Sequence, residues 1–172
     1  MSSIARSNVS RVIVALLAFS SAANADDPVR GERLFRLTRN KNDNIVCYDV
    51  RRADGKLDKD NPVSVYWVIP SEMNKLENLN YLERKKAYGI RIVKTFGHDS
   101  VDIVLRASRK PIRVAQRGSR WVALMTLDSG ELAIDSVYVM ADESGISPTV
   151  RWVEIMGFDP ATGEPVRKRI VR

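Results

Sequence analysis

The sequence has little of the chemistry on which most catalytic sites depend, with a single histidine and a single cysteine among its 172 residues. A Ser-His-Asp or Cys-His arrangement would have to use His98, and one histidine with one cysteine is too few ligands for the usual zinc sites. His98 lies in a short polar stretch, so we interpret it as a solvated loop residue. These shortages favour a protein that is not an enzyme, and we expect neither a metal nor a cofactor.

One cysteine also excludes an internal disulfide bond. Cys47 lies in the apolar run Asn-Ile-Val-Cys-Tyr-Asp-Val over residues 44–50, which favours a buried and inert thiol. Intermolecular pairing or a reactive thiol is the alternative. A chain of this length buries enough apolar surface to fold without such a cross-link.

Long hydrophobic runs are absent too. The longest apolar stretch, residues 12–23, is interrupted by two serines and is shorter than the roughly 20 residues that a membrane-spanning helix needs. Arg6 and Arg11 precede this stretch and Ala-Asn-Ala ends it at Ala25, which is the layout of a secretory signal peptide. We therefore predict cleavage after Ala25 and a periplasmic or secreted domain over residues 26–172 with no transmembrane segment. A basic amphipathic helix that stays attached is the alternative.

Acidic residues are outnumbered, with 21 aspartates and glutamates against 28 lysines and arginines and a formal charge of +7. Removing residues 1–25 takes away two arginines and no acid, which leaves +5. The basic residues cluster at 30–39, 106–120 and 167–172, where they would attract an acidic envelope component or form a solvated basic surface. We favour the solvated surface. Nucleic acid is disfavoured as a partner, because no aromatic and basic residues interleave as in a nucleic-acid-binding sheet.

Short runs of β-branched and aromatic residues alternate with turn residues along residues 26–172, which predicts many strands and one helix. The predicted strands are Arg33–Arg39, 44–52, Val63–Ile69, Ile90–Phe96, 101–107, 112–116, Arg120–Leu127, 132–140, 150–157 and 166–171. Residues 53–62 are predicted to form a surface loop. The spacing predicts a mainly β fold, an antiparallel barrel or barrel-like sandwich of about eight to ten strands with one short helix.

Side-chain alternation predicts which faces of these strands are buried. Val101, Ile103 and Leu105 share one face. A second shared face is predicted for Leu132, Ile134, Tyr138 and Met140, and Val137 and Val139 make the opposite face of that strand apolar as well. The helix is predicted over residues 79–88, with Asn78 as its N-cap and Gly89 in the left-handed position after its last turn.

Aromatic residues with polar neighbours are the best candidates for a binding site. Tyr66 and Trp67 are adjacent in a predicted strand and point to opposite faces, and the predicted helix ends at Tyr88. The candidate ligand-binding residues are Tyr66, Trp67, Tyr88, Trp121, Glu83 and Arg84. Ordinary packing in a core or a helix cap is the competing interpretation of these residues.

Carboxylates are the other candidate chemistry, because a glycosidase needs only two acids that face each other across a cleft. Asp49, Glu83 and Glu154 lie within or beside apolar segments. We favour salt bridges to the abundant arginines as their role. The acidic residues Asp54, Asp58 and Asp60 lack the glycine and glutamate spacing of a calcium loop, which favours a solvated turn.

Four blocks of sequence resemble an exported bacterial family of domains of unknown function. The blocks are Asn-Ile-Val-Cys-Tyr-Asp-Val at 44–50, Pro-Val-Ser-Val-Tyr-Trp-Val at 62–68, Tyr-Leu-Glu-Arg-Lys-Lys-Ala-Tyr-Gly at 81–89 and Thr-Gly-Glu-Pro-Val at 162–166. The resemblance implies a β-rich exported domain with one helix after the Val-Tyr-Trp strand, and it implies no activity or ligand.

Three hypotheses about function follow from the sequence. The first is a non-enzymatic periplasmic binding protein that holds a small or lipid-like ligand in an apolar cavity near Trp67, Tyr88 and Trp121. The second is an envelope protein-interaction module that uses a basic face or an exposed strand edge. The third is a hydrolase that uses a pair of carboxylates.

Overall fold

The computed structural model describes residues 30–128, 130–145 and 148–171. Along these residues thirteen strands, one α-helix and one 3-10 helix follow each other. The strands are β1 (Arg33–Arg39), β2 (Asn42–Val50), β3 (Arg52–Ala53), β4 (Lys56–Leu57), β5 (Val63–Ile69), β6 (Lys75–Asn78), β7 (Ile90–Phe96), β8 (Ser100–Leu105), β9 (Ile112–Arg117), β10 (Arg120–Leu127), β11 (Gly130–Asp142), β12 (Thr149–Phe158) and β13 (Pro165–Val171). The α-helix α1 spans Tyr81–Lys86, and the 3-10 helix spans Pro70–Glu72. The predicted signal peptide lies outside the described residues.

Eleven strands form one sheet, and nine of these strands make a strongly curled half-barrel. Nine of them follow the order β6-β5-β2-β1-β11-β10-β9-β8-β7, and β12 and β13 extend from β11. Neighbours pair antiparallel except β1 and β11, which are parallel. The prediction of a mainly antiparallel, barrel-like β fold with one short helix is confirmed.

The long strand β11 is where the sheet branches. Residues 130–134 of β11 pair with β10 and residues 136–139 pair with β1, while β12 runs along residues 133–142. Ala133 and Ile134 pair with both β10 and β12, so those two strands lie on opposite edges of β11. One strand therefore joins the half-barrel to the β12–β13 ribbon.

A β-bulge at Asp135 marks the change of partner. The register between β11 and β12 passes from Ile134 opposite Gly157 to Ser136 opposite Met156, so two residues of β11 advance past one residue of β12. Gly157 lies opposite this point, and glycine is required there because a Cβ would lie 1.9 Å from the carbonyl oxygen of Ala133. Any larger residue would push β12 away from the branch point.

The bulge reverses the alternation of side chains in the second half of β11. Val137 is buried in the core and Val139 packs against it, whereas Tyr138 lies on the opposite face of the sheet. The prediction of one shared face for Leu132, Ile134, Tyr138 and Met140 is therefore wrong. The other prediction holds, because Val101, Ile103 and Leu105 are all in the core.

The core fills the inside of the half-barrel with side chains from nearly every strand. Its largest completely buried members include Phe35 and Tyr48, whose rings stack with centroids 4.3 Å apart. Burial of apolar area at about 25 cal/mol per Å² is what stabilises such a packed sheet. Cys47 is buried as predicted, and burial raises the pKa of its thiol above the ordinary value.

Each of the ten predicted strands overlaps an observed one, and four have the observed bounds. The four are Arg33–Arg39, Val63–Ile69, Ile90–Phe96 and Arg120–Leu127. Residues 53–62 are not only a loop, because β3 and β4 form a small hairpin there that buries Leu57. The short polar strand β6 was not predicted either, since it carries no apolar alternation.

The helix is shorter than predicted and begins with a different cap. Asn80 is the N-cap, and its side chain accepts a hydrogen bond from the backbone N–H of Glu83 at 2.9 Å. Asn78 is the last residue of β6, so the prediction of an Asn78 cap is wrong. Gly89 is not left-handed; a Cβ at Gly89 would lie 1.9 Å from the carbonyl oxygen of Arg84. Close approach of the backbone, rather than a positive φ, requires glycine there.

No helix in the described ranges is long and apolar enough to cross a membrane.

Candidate ligand-binding site

A cavity of about 280 Å³ lies where β1, β2, β5 and β6 meet the helix α1. Its lining includes one tryptophan and one tyrosine, and most of its other members are charged or amide side chains. The lining residues are Leu37, Arg39, Lys41, Asn42, Asn44, Trp67, Ile69, Glu77, Asn80, Glu83 and Tyr88. The cavity is therefore a polar pocket with an aromatic wall.

The aromatic wall is a pair of rings held at right angles. The rings of Trp67 and Tyr88 have centroids 5.0 Å apart and an interplanar angle of 78°, which is the edge-to-face arrangement that aromatic pairs prefer. The indole Nε1–H of Trp67 donates to Glu83 Oε2 at 3.2 Å. Trp67 is therefore fixed both by its place in strand β5 and by its hydrogen bond to the helix α1.

Glu83 joins the pocket to the start of α1. Its Oε2 also accepts the backbone N–H of Asn80 at 3.0 Å, which completes a capping box with the Asn80 side chain. The same carboxylate oxygen therefore orders the first turn of the helix and fixes the indole ring of Trp67. The capping box explains why a six-residue helix is stable at this place.

Tyr88 is fixed from two sides. Its hydroxyl accepts a hydrogen bond from Arg39 Nη1 at 2.8 Å, and its backbone carbonyl accepts the hydroxyl of the buried Tyr48 at 2.9 Å. Arg39 also forms an ion pair with Glu143. Burial opposes the charge of Arg39, but the bonds to Tyr88 and Glu143 outweigh it and raise the pKa of the guanidinium. The wall of the pocket is therefore rigid and bordered by a permanent cation.

Three of the six predicted site residues meet in this pocket. They are Trp67, Tyr88 and Glu83. The other three, Tyr66, Trp121 and Arg84, lie outside the lining. Trp121 is in the core, and Arg84 is exposed on α1.

Tyr66 lies outside the pocket because it is adjacent to Trp67 in β5 and faces the other way. Its hydroxyl donates to Asp49 Oδ2 at 2.7 Å and accepts from Arg33 Nη2 at 3.1 Å. Burial and the bond to Asp49 raise the pKa of Tyr66 to about 12. Tyr66 therefore belongs to a buried polar cluster on the opposite face of the sheet.

The sequence interpretation missed the pocket residues of β1, β2 and β6. Arg39, Asn42 and Asn44 lie at the β1–β2 turn, and Glu77 lies opposite Trp67 in β6. Arg39, Asn42 and Asn44 are far from α1 in the sequence, and none of the four residues belongs to a recognisable motif. Only the pairing of β2 with β5, and of β5 with β6, brings them to one place.

The carboxylates singled out in the sequence have structural partners. Asp49 forms an ion pair with Arg33, and Glu154 forms ion pairs with Arg167 and Arg169. Salt bridging to arginine is therefore confirmed for Asp49 and Glu154, whereas the carboxylate of Glu83 accepts hydrogen bonds from Trp67 and from the backbone of Asn80 instead. Within the described residues, no group of three or more histidine, cysteine, aspartate or glutamate side chains is arranged to hold a metal ion. The side chain of Asp58 caps a turn by accepting the backbone N–H groups of Asp60 and Asn61.

Acid is expected to weaken the attachment of β13 through Glu154. Two 2.7 Å hydrogen bonds from Arg167 lower the pKa of this carboxylate below its ordinary value of 4.5. A lowered pKa in the folded state stabilises the fold above the ordinary value, and that contribution is lost as pH falls through the folded-state pKa. We expect the difference in unfolding free energy between the native protein and Glu154→Gln to shrink from about pH 6 to about pH 3. Denaturant unfolding at each pH measures it, and a difference that stays constant with pH would contradict the prediction.

Together the fold and the pocket define a half-barrel β domain with a rigid, polar, aromatic-walled cavity at one end. The chain belongs to the DUF4833 family, a domain of unknown function whose family model matches residues 35–169. Neither the curated proteins nor the solved structures include a match to this chain.

Proposed function

We propose that this protein is an exported binding protein that holds a small polar ligand in the pocket at α1. The observation that carries the proposal is the wall of Trp67 and Tyr88, because both rings are fixed by hydrogen bonds and both face charged and amide groups. A rigid aromatic surface beside a few convergent polar groups is typical of small-molecule sites. The volume of about 280 Å³ is close to the lower end of the range for such sites, about 300–1,000 Å³.

The lining favours a hydroxyl- or amide-bearing ligand over a lipid-like one. Three asparagines, two glutamates, an arginine and a lysine offer both donors and acceptors. The apolar cavity expected from the sequence needed Trp121 as a third aromatic wall, and Trp121 packs in the core instead. An indole face with amide neighbours is suited to the alternating apolar and hydroxyl edges of a sugar.

Export is the second part of the proposal and is supported by the sequence of the first 25 residues. Two arginines, an apolar stretch and Ala-Asn-Ala up to Ala25 form the pattern of a cleaved signal. The ligand would then be a molecule of the periplasm or the cell exterior.

One purification tests both parts. The full chain is expressed in a bacterial host with two membranes, recovered from the periplasmic fraction and weighed intact under denaturing and native conditions. We expect a chain that begins after Ala25, and a native mass that exceeds the denatured mass by a retained polar ligand. The stripped protein is then titrated with di-N-acetylchitobiose and, separately, with palmitate; we expect binding of the sugar and none of the lipid.

A double variant identifies the site. Lys41→Ala with Glu77→Ala removes two exposed lining side chains that hold no helix cap, so the fold is expected to persist. The matched control is Lys110→Ala with Glu164→Ala, which removes the same charges from exposed positions outside the lining. We expect the pocket variant to lose the retained mass and the control to keep it. Equal behaviour of the two variants, or native protein with neither retained mass nor sugar binding, would exclude the binding proposal.

A carboxylate hydrolase is the second candidate, because Glu77 and Glu83 both line the pocket. The same titration separates the two functions. Cleavage of di-N-acetylchitobiose that is lost in a separate Glu77→Gln variant would favour the hydrolase, whereas intact sugar recovered after binding favours the binding protein.

A further inference from the structure

A second concave surface lies on the opposite face of the sheet, away from the pocket. It is a groove of about 510 Å³ that crosses β1, β2, β11, β12 and β13. We call it the basic groove, defined by Arg36, Tyr138, Trp152, Glu154, Arg167 and Arg169. The bulge at Asp135 creates it, because the reversed alternation turns Tyr138 outward.

Cations outnumber acids in the basic groove. Three arginines line it, and Glu154 is the one carboxylate among its lining residues. Glu154 is nearly buried and accepts both hydrogen bonds of Arg167, while Arg169 reaches it at 3.5 Å. Arg36 is 56% exposed, and its nearest acid is Asp135 at 3.9 Å. Arg36 and Arg169 therefore leave the groove with an excess of positive charge.

Aromatic rings hold part of that charge in position. The guanidinium of Arg169 lies 4.1 Å from the ring centroid of Trp152, a cation–π contact. The ring of Tyr138 lies 5.5 Å from that of Trp152. A guanidinium donates its hydrogen bonds in its own plane, so an arginine that stacks on a ring can still donate to an acid.

The groove is bordered by an open strand edge. Within the described residues β13 pairs with β12 alone, so one edge of its seven residues has no partner strand. Arg167 and Arg169 point to the groove face, while Val166 and Ile170 pack against the core. An unpaired edge is a template for an added strand, and the alternation of β13 specifies the side chains that such a strand needs.

We propose that β13 and the basic groove bind an extended acidic segment of a partner protein as an added β-strand. On the groove face, acidic side chains of the segment would lie opposite Arg167 and Arg169, and on the other face apolar side chains would cover Val166 and Ile170. Backbone hydrogen bonds supply affinity in this mode, and the alternate side chains supply selectivity.

Charge repulsion disfavours a second copy of this chain as the strand that pairs with β13. Antiparallel pairing of two β13 strands about Lys168 would place Arg167 of each copy opposite Arg169 of the other, and like charges directly opposite destabilise a sheet. A membrane surface is also a poorer fit, because lipid headgroups do not offer the backbone groups that complete a strand edge.

The test uses a dye-labelled, seven-residue peptide in which glutamate alternates with valine, matching the length of β13. Control peptides replace glutamate with glutamine or lysine. We expect the acidic peptide to bind the full-length mature protein, with affinity that falls as salt rises from about 0.05 to 0.5 M. Amide hydrogen exchange is expected to show slower exchange in β13 when the peptide is bound. Arg169→Gln is expected to weaken binding about fivefold.

Arg169 is more than half exposed, and Arg167 is kept so that Glu154 stays paired. The matched control is Arg117→Gln, which removes an exposed arginine at the β9–β10 turn. Equal weakening by both variants, or peptide binding without protection of β13, would overturn the proposal. So would binding to phosphatidylglycerol vesicles in place of the peptide, or dimerisation through β13 in sedimentation. Failure of this test leaves the pocket proposal unaffected, because the two surfaces share no residue.

Discussion

Phe35→Ala is expected to lower the free energy of unfolding by about 3–5 kcal/mol. Phe35 has no exposed surface, and its ring stacks on Tyr48 with an interplanar angle of 13°. Removing the ring loses its transfer free energy and leaves a cavity between β1 and β2 that neighbouring strands of the curled sheet cannot close without bending. The expected fall in Tm is about 10–15 °C.

Urea unfolding followed by circular dichroism measures this loss, with the m-value expected to stay near that of the native protein. Phe35→Leu keeps most of the volume and is expected to cost about half as much. The exposed control is Leu82→Ala, at a position that is 65% exposed, with an expected change below about 0.5 kcal/mol. A loss for Phe35→Ala no greater than that of the control would show that the stack contributes nothing.

The Phe35→Ala substitution is also expected to affect the shape of the pocket. Phe35 packs on Tyr48, whose hydroxyl holds the backbone of Tyr88, one wall of the cavity. A looser Tyr48 would therefore loosen Tyr88 as well. The stability of the core and the rigidity of the proposed binding site depend on one line of aromatic contacts.

Asp49→Ala is expected to cost about 3 kcal/mol, the second largest effect. Asp49 is 1% exposed, and its carboxylate accepts from Tyr66, Arg33 and the backbone N–H of Gly31. Without the carboxylate, the Tyr66 hydroxyl loses its acceptor inside the fold, whereas Arg33, which is 43% exposed, can turn to solvent. The first described residues before β1 would also lose an anchor to β2.

Three comparisons separate this loss from a general effect of removing a charge. Asp49→Asn keeps an acceptor for Tyr66 and is expected to cost less than Asp49→Ala. Asp102→Ala breaks a surface pair with Arg113 and is expected to cost at most about 1 kcal/mol. Alkaline spectroscopic titration provides a direct readout, because the pKa of Tyr66 should fall from about 12 when the Asp49 carboxylate is removed. A pKa that does not move would contradict the proposed role of Asp49.

The sequence predicted strands well wherever alternation was strong and neighbouring turns were polar. Arg120–Leu127 and Val63–Ile69 carry both signals and were predicted with their observed bounds. Strand β6 carries neither signal, because it forms by backbone pairing with β5. The β3–β4 hairpin carries only a turn signal, Asp54-Gly55, and its two-residue strands are too short to show alternation. The cap moved from Asn78 to Asn80 for a similar reason: pairing with Tyr66 makes Asn78 part of a strand.

The same reasoning from the sequence predicted only part of the candidate site. Trp67, Glu83 and Tyr88 are near enough in the sequence for a strand followed by a helix to bring them together. Tyr66 lies outside the pocket because adjacent strand residues face opposite sides of the sheet, and Trp121 lies outside it because its side chain packs in the core. Arg39 and the asparagines at the β1–β2 turn arrive only through pairing with β5.

Local pattern alone specifies that this chain forms short strands around one helix, since period-two alternation and turn residues are properties of a few neighbouring amino acids. It also marks residues 1–25 as the segment from which export is proposed. The tertiary structure decides what the surfaces are, because the pocket and the basic groove are each assembled from strands distant in sequence. The single extra residue at Asp135 is the clearest case, because it moves the core face of β11 from Leu132 and Ile134 to Val137 and Val139 and turns Tyr138 into the groove. The sequence shows only that both faces of this stretch are apolar, and pairing with β12 places the bulge that separates them.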